Sequence, residues 1–342
     1  MIKYLKWGVL GFGSASQNFI KTFDNSLSST ISSIASNSKY DFLIKNIENA
    51  EIFDNYEKLF KYGNVDIVYI SAINSLHEKL VNLAIKYNKN ILVEKPSCLS
   101  FFELNNLLTE IKKKKLFFKE SILYLNHPIT KVILEFIQSN EIGKVLKINA
   151  SFGFNFAKKK LFFFKRKKKY KLNIFNKNLG GGALYNYAHY PFSALNIFTG
   201  NNEVLEIKDL LCNSFVGQTG VDEHVCLKLK FTNQLESIIE LSINKNIDSF
   251  IEIRGENGYI YAKNPWIPGR EFQIELNSRN RGGKIYNYVE NRSLWSYEVE
   301  SIENDISKGR SESTTVGAKP SDSLLYLKLI DKCRQEIFFK DK

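Results

Sequence analysis

A chain of 342 residues exceeds what one small core can organise and fits two domains, each able to bury its own interior. It has no run of eighteen or more apolar residues and no early apolar stretch behind a basic start, so a cytoplasmic protein without a membrane span or secretory leader is expected. Cys98, Cys212, Cys226 and Cys333 stand far apart with no CxxC pair, which argues against a zinc knuckle or a disulfide framework, while the net charge of +12 favours anionic ligands.

Residues Tyr4 to Leu10 read as a strand that runs into Gly11-Phe12-Gly13-Ser14-Ala15-Ser16, followed by Phe19, Ile20 and Phe23 at helical spacing. In a strand, glycine turn and helix of this kind the first glycine permits the bend and the second lets the backbone reach a pyrophosphate. The helix N-terminus then offers free N–H groups to the anion. Ser16 stands where the strict fingerprint has a third glycine. The next strand, Ile31 to Ala35, ends at Ser36-Asn37-Ser38-Lys39, about where such a fold meets the adenine ribose. No acidic residue occurs there before Asp41 to repel a 2'-phosphate. Ser36, Asn37 and Lys39 can donate to one, so NADP is favoured over NAD, with a plain polar turn as the alternative.

A short helix from Tyr56 to Tyr62 precedes the apolar strand Val65 to Ser71, which leads past Ala72 to Asn74-Ser75-Leu76-His77 and a helix through Leu80, Leu83 and Ala84. Ile91-Leu92-Val93 is a buried strand ending in Glu94-Lys95-Pro96, and strand C-terminal ends are where ligands sit in doubly wound sheets. A helix from Phe101 to Lys112 and a strand Leu116 to Lys119 complete alternating units of a parallel sheet. The first domain is therefore 1–121 and the second 122–342.

In the second part Pro128 starts a helix, and Val145 to Phe152 is a strand. Lys158-Lys159-Lys160 and Lys165 to Lys169 flank Leu161-Phe162-Phe163-Phe164, either a solvated stretch in a chain rich in Lys and Phe throughout or an anion-recognition loop at 158–171. Aromatics between lysines can stack bases, but consecutive phenylalanines are more simply a packed patch, and no nucleic-acid partner is expected. Gly180-Gly181-Gly182 then allows a close approach to a ligand and opens a helix on which Asn186, His189 and Tyr190 recur at three- and four-residue spacing. Strand patterns at Glu206 to Leu211, His224 to Phe231, Ser237 to Ile243, Ile251 to Arg254 and Gly258 to Tyr261 suggest a mostly antiparallel sheet, and Leu324, Leu327 and Ile330 mark a terminal helix. His127 and His224 have no partner at metal spacing, so no metal is expected. Trp266, between two prolines, is read as a packed aromatic or as an edge of the substrate cleft.

The order and spacing of Gly11-Phe12-Gly13, Asn74 to His77, Glu94-Lys95-Pro96, Gly143-Lys144-Val145, Gly180 to Tyr190 and Tyr297-Glu298-Val299 resembles the Gfo/Idh/MocA oxidoreductases. Glu120 to Pro128, Ser151 to Phe154 and Leu179 to Tyr190 are similar to the branch that holds dimeric dihydrodiol dehydrogenase and xylose dehydrogenase. The resemblance implies an α/β protein: an N-terminal Rossmann domain and a C-terminal α/β domain whose open, mostly antiparallel sheet often makes a homodimer or homotetramer interface, with the active site between the domains. It implies a hydride moved between a nicotinamide cofactor and a hydroxyl or carbonyl of a sugar, sugar derivative or polyol.

By the same resemblance Gly11, Phe12, Gly13, Ser14, Ala15, Ser36, Asn37, Lys39, Ala72, Asn74, His77, Glu94 and Lys95 meet the cofactor. Lys95 also holds the substrate hydroxyl, Tyr190 is the general acid/base, and His189 and Asn186 share its helix. Many relatives carry Asp where this chain has Asn186, and an amide cannot take a proton as a carboxylate does. Three readings follow: Tyr190 acts alone, His189 helps, or the protein is a catalytically silent dinucleotide-binding sensor or scaffold. A redox-neutral variant that cleaves a glycosidic bond is a further reading. The lysine-rich stretch makes a phosphorylated or nucleotide-linked sugar a candidate substrate.

Overall fold

The computed structural model describes residues 4–25, 29–36, 50–156, 172–199, 205–279 and 281–339. The chain divides into two units, Met1–Leu123 with Ser293–Leu324, and Tyr124–Arg292 with Leu325–Lys342.

The first unit is built on short strands: β1 (Lys6–Leu10), β2 (Thr30–Ala35), β3 (Glu51–Phe53), β4 (Ile67–Ile70), β5 (Asn90–Glu94) and β6 (Phe118–Ser121). They form one six-stranded sheet in the order β3-β2-β1-β4-β5-β6, each neighbouring pair parallel. β1, β4 and β5 are buried over most of their length, which is why their sequences show no polar alternation, whereas β6 buries Lys119 and Glu120 and β3 is mostly exposed. The crossovers carry α1 (Ser14–Lys21), α2 (Tyr56–Tyr62), α3 (His77–Lys86) and α4 (Phe101–Lys113). Asn55 caps α2 by accepting from the Glu57 N–H at 2.8 Å, and Ser100 caps α4 by accepting from that of Glu103. In return the Glu103 carboxylate accepts from the Leu99 N–H at 3.0 Å.

The segment Ser293–Leu324 belongs to this unit, although a boundary at residue 121 would assign it to the second domain. Packing is the reason. Trp295, Val299 and Ile302 of the helix Leu294–Ser307 are buried with Trp7, Phe19 and Tyr69, and the Trp295 ring meets Phe19 edge-on at 5.5 Å. Burying each large apolar side chain stabilises by about 1.5–3 kcal/mol.

In the second unit α5 (Pro128–Gln138) has its proline at the first helical position, where the missing N–H costs nothing. The strands are β7 (Val145–Gly153), β8 (Ile207–Val216), β9 (Asp222–Phe231), β10 (Glu236–Ser242), β11 (Ile247–Gly255), β12 (Gly258–Lys263), β13 (Glu271–Ser278) and β14 (Gly282–Val289). They form an eight-stranded sheet in the order β14-β13-β12-β11-β7-β10-β9-β8, antiparallel except where β7 meets β10. The edge strands expose apolar side chains, Leu211 and Phe215 on β8 and Ile285 and Val289 on β14. The helix expected across Ala183 to Tyr190 is two, α6 (Ala183–Tyr187) and α7 (His189–Phe198), parted at Ala188.

Candidate active site

All strands of the first sheet are parallel, so the segments after β1, β2, β4 and β5 emerge at one edge. The chain's order reverses between β1 and β4, which makes a crevice there. Gly11 follows β1 with φ +101°, and a Cβ placed on it would lie 2.8 Å from the Ala72 nitrogen, just past β4. Only glycine fits so close an approach. Gly13 has nothing within 4 Å of a built Cβ, and α1 begins behind it with no acidic residue in its first turn and no side-chain cap. The open glycine and the uncapped N–H groups fit the pyrophosphate of a dinucleotide. Ser16, at the third fingerprint position, is fully buried and donates to the Gly13 carbonyl at 3.0 Å, so it braces the turn from inside.

Phe12 is buried, Ala15 partly so, and Ser14 is exposed beside Gly13. Ser36 follows β2, its N–H donating to the Phe53 carbonyl at 3.3 Å, while Asn37 and Lys39 lie outside the described residues. Asn74 opens a 3-10 turn, Asn74–Leu76, and His77 starts α3. The His77 ring is fully buried between two carbonyls, Nδ1 at 2.7 Å from Pro96 and Nε2 at 3.0 Å from Ala72. It thereby joins the loop after β4 to the loop after β5, and burial pulls its pKa down.

Lys95 stands just past β5, partly buried, with a cis peptide to Pro96. Burial lowers the pKa of its ammonium, opposed by the carboxylates of Glu94 and Glu120. Glu94 accepts from the Tyr69 hydroxyl at 2.9 Å, and burial raises its pKa against the pull of Lys95. Glu120, at the end of β6 and 1% exposed, accepts from the Ser97 N–H at 2.6 Å. Sequence reading did not assign Glu120 a role, although its place at a strand's C-terminal end was a usable signal.

In the second unit Gly181 and Gly182 meet protein atoms rather than open space. A Cβ on Gly181 would lie 2.6 Å from the Ile174 carbonyl oxygen, and one on Gly182, at φ +115°, would run into Asp222 Oδ1. Asp222, fully buried on β9, reaches the start of α6 and accepts from the Leu184 N–H at 2.7 Å. The close approach expected for a ligand is thus made by this carboxylate, which no local signal in the sequence revealed. Burial lifts the Asp222 pKa to about 6, opposed by the Leu184 N–H and by Arg334 at 3.8 Å.

Asn186 donates from Nδ2 to the Gly182 carbonyl at 2.6 Å, and His189 is fully buried at the start of α7. Tyr190 lies among aromatic rings: Phe152 edge-on at 5.3 Å, Trp266 stacked at 6.0 Å and Tyr124 at 6.2 Å. The Tyr190 carbonyl accepts from Ser193 Oγ at 2.9 Å and from the Tyr124 hydroxyl at 3.3 Å. Trp266, 1% exposed, donates to the Ser151 carbonyl at 3.0 Å, which makes it a packed wall for Tyr190. Among the described residues no group of His, Cys, Asp and Glu is placed to hold a metal ion, and no helix is long and apolar enough to cross a membrane.

A six-stranded parallel sheet in this order, with an open glycine turn at its crevice, defines a dinucleotide-binding protein. Residues 5–120 match the oxidoreductase family with an NAD-binding Rossmann fold, and residues 131–261 match the GFO/IDH/MocA C-terminal domain. The chain belongs to the Gfo/Idh/MocA oxidoreductases. It is 24% identical over 343 residues to trans-1,2-dihydrobenzene-1,2-diol dehydrogenase of Xenopus tropicalis, covering 97% of this chain and 98% of the relative. Its fold matches a 3-ketoreductase of Actinomadura kijaniata, KijD10, in complex with NADP and TDP-benzene (TM-score 0.83, 18% identity, 97% and 98% coverage). It also matches an aldose-aldose oxidoreductase of Caulobacter crescentus complexed with glycerol (TM-score 0.80, 16% identity, 98% coverage of each chain).

Proposed function

We propose that the chain is an NADP-linked dehydrogenase or reductase acting at a CH–OH or carbonyl carbon of a sugar, sugar derivative or polyol. The observation that carries the reading is the glycine turn, closed against Ala72 at Gly11 and open at Gly13. NADP is preferred because the sequence after β2, Ser36-Asn37-Ser38-Lys39, has no acidic residue before Asp41 to repel a 2'-phosphate, and the similar 3-ketoreductase is in complex with NADP. When bound, the cofactor supplies or receives the hydride. Matching proton movement falls to the protein: Lys95 holds the substrate oxygen and favours its anionic form, and Tyr190 passes the proton. Asn186 has no carboxylate to offer, and its amide already serves Gly182, so Tyr190 carries that task without it.

TDP-benzene in the similar 3-ketoreductase and the lysine-rich stretch 158–171, which lies outside the described residues, favour a phosphorylated or nucleotide-linked sugar. A cytoplasmic homodimer or homotetramer joined through the second sheet completes the reading. The apolar side chains exposed on β8 and β14 support it, and light scattering tests it.

Fluorescence titration with NADPH and NADH in parallel is the primary test of function, with saturation and NADPH preferred as the expected result. Binding of neither by the folded protein would overturn the reading. Lys95→Ala is expected to bind NADPH within a few-fold of wild type and to lose turnover by about a hundredfold or more.

A further inference from the structure

The loop that carries Lys95 is fastened at two places within the first unit. On one side the Pro96 carbonyl meets His77 Nδ1 at 2.7 Å, and on the other the Ser97 N–H donates to Glu120 Oε1 at 2.6 Å. Glu120 reaches that N–H because β5 and β6 run parallel with Val93 paired to Glu120, so the two strands end side by side. Its carboxyl is 1% exposed, and the charges of Glu120 and Lys95 act on each other. We propose that Glu120 is a positioning residue for Lys95, its carboxylate tying the Lys95–Ser97 loop to the end of β6 and setting a second negative charge beside the ammonium.

A neutral side chain would satisfy the Ser97 N–H equally well, since a Gln oxygen accepts the same bond. Burying a carboxylate at this place costs the fold, and burial lifts the Glu120 pKa to about 7. What the carboxylate adds over an amide is charge, and the cation it acts on is Lys95, whose own burial works against its protonation. The other groups facing this place are Glu94, which shares Lys95, and Ser323, which donates to Glu120. His77 adjoins Pro96, and Cys98 is a thiol whose pKa is raised chiefly by burial and further by Glu103, Glu120 and Glu78. Glu94 is one counter-charge to the ammonium, and Glu120 when ionised adds another.

The inference rests on the reading that Lys95 serves the reaction, and the test separates the two. The full-length protein is labelled with trace acetic anhydride from neutral to alkaline pH, and acetylation of Lys95 is followed by peptide mass against exposed lysines. In Glu120→Gln the labelling of Lys95 at about pH 8 is expected to rise about threefold or more, because more of the amine is neutral. Glu120→Asp, which keeps the charge, is expected to stay near wild type. Equal labelling in wild type and Glu120→Gln would overturn the proposal. Should Glu120→Gln fail to fold, the wild-type curve decides: a break near neutrality as Glu120 ionises is expected, and a smooth single titration would overturn the proposal.

Turnover of Lys95→Ala with NADP and trans-1,2-dihydrobenzene-1,2-diol tests the underlying reading apart from this. A labelling shift with full Lys95→Ala turnover would remove Lys95 from the reaction and keep its coupling to Glu120. Lost turnover with no labelling shift would keep Lys95 and discard Glu120.

Discussion

Asn186 donates its amide to the Gly182 carbonyl four residues back, at 2.6 Å. An Asp at this position has no N–H to give and would set a carboxylate against a carbonyl oxygen in a partly buried place. Asn186→Asp is therefore expected to lose about 1–3 kcal/mol of stability, read by urea unfolding, without a gain in turnover. Undiminished stability together with faster turnover would return position 186 to the chemistry. Single residues of this kind were unevenly legible. Gly11 could be read from sequence because a glycine directly after an apolar strand has one common use, and its φ of +101° against Ala72 is that use. Gly181 and Gly182 announce a close approach equally well, but glycine does not say to what, and here Ile174 and Asp222 are what approaches. Glu120 and Asp222 bind backbone 23 and 38 residues away, a distance over which no local pattern reports.

At the scale of elements, α1 and α6 both begin behind a glycine, yet only α1 has room in front of it. Gly13 faces open space, whereas at Gly182 the Asp222 carboxylate already serves the first turn of α6. Alanine at the two positions separates these cases. Gly182→Ala forces a Cβ into the buried Asp222 carboxylate at a left-handed φ, and a loss of more than about 2 kcal/mol is expected. Gly13→Ala is expected to change stability by less than about 0.5 kcal/mol and to weaken NADPH binding by about tenfold, since the methyl group stands where the pyrophosphate approaches. Unfolding midpoints and fluorescence titration of the pair check both halves. Elements buried on both faces were the ones sequence showed best, as β1, β4 and β5 do. Glu271–Ser278 alternates Phe272, Ile274 and Leu276 with polar residues and carried a signal for β13. β14 carries little, because most of its side chains are exposed and burial writes no pattern on it.

Over the whole molecule, buried titratable groups pull the pH dependence of stability in opposite directions. Asp222 and Glu120 have pKa values lifted by burial to about 6 and about 7, well above the ordinary carboxylate range. The native state holds their protons more tightly than the unfolded chain, so the stability they contribute is present in acid and lost as pH rises through those windows. His127 acts the other way. It is 2% exposed and packed edge-on to Phe272 at 5.1 Å, and burial lowers its pKa from 6.5 to about 4, with Glu290 opposing. Between those values the unfolded chain takes up the proton first, so the stability tied to His127 is present above about 6.5 and lost as pH falls toward 4. His127 also caps α5, its Nδ1 accepting from the Ile129 N–H at 3.1 Å, and asparagine supplies the same acceptor without a titrating ring. His127→Asn is expected to lose a constant amount from the missing ring contact. It should then gain on wild type by a few degrees in melting temperature as pH falls from about 6.5 to about 4.5, with no pH-dependent difference above that window. The net charge of +12 adds repulsion in acid to both proteins alike and cancels in the comparison. A difference that stays flat across the acid range would show that His127 titrates in the native protein as it does in the unfolded chain.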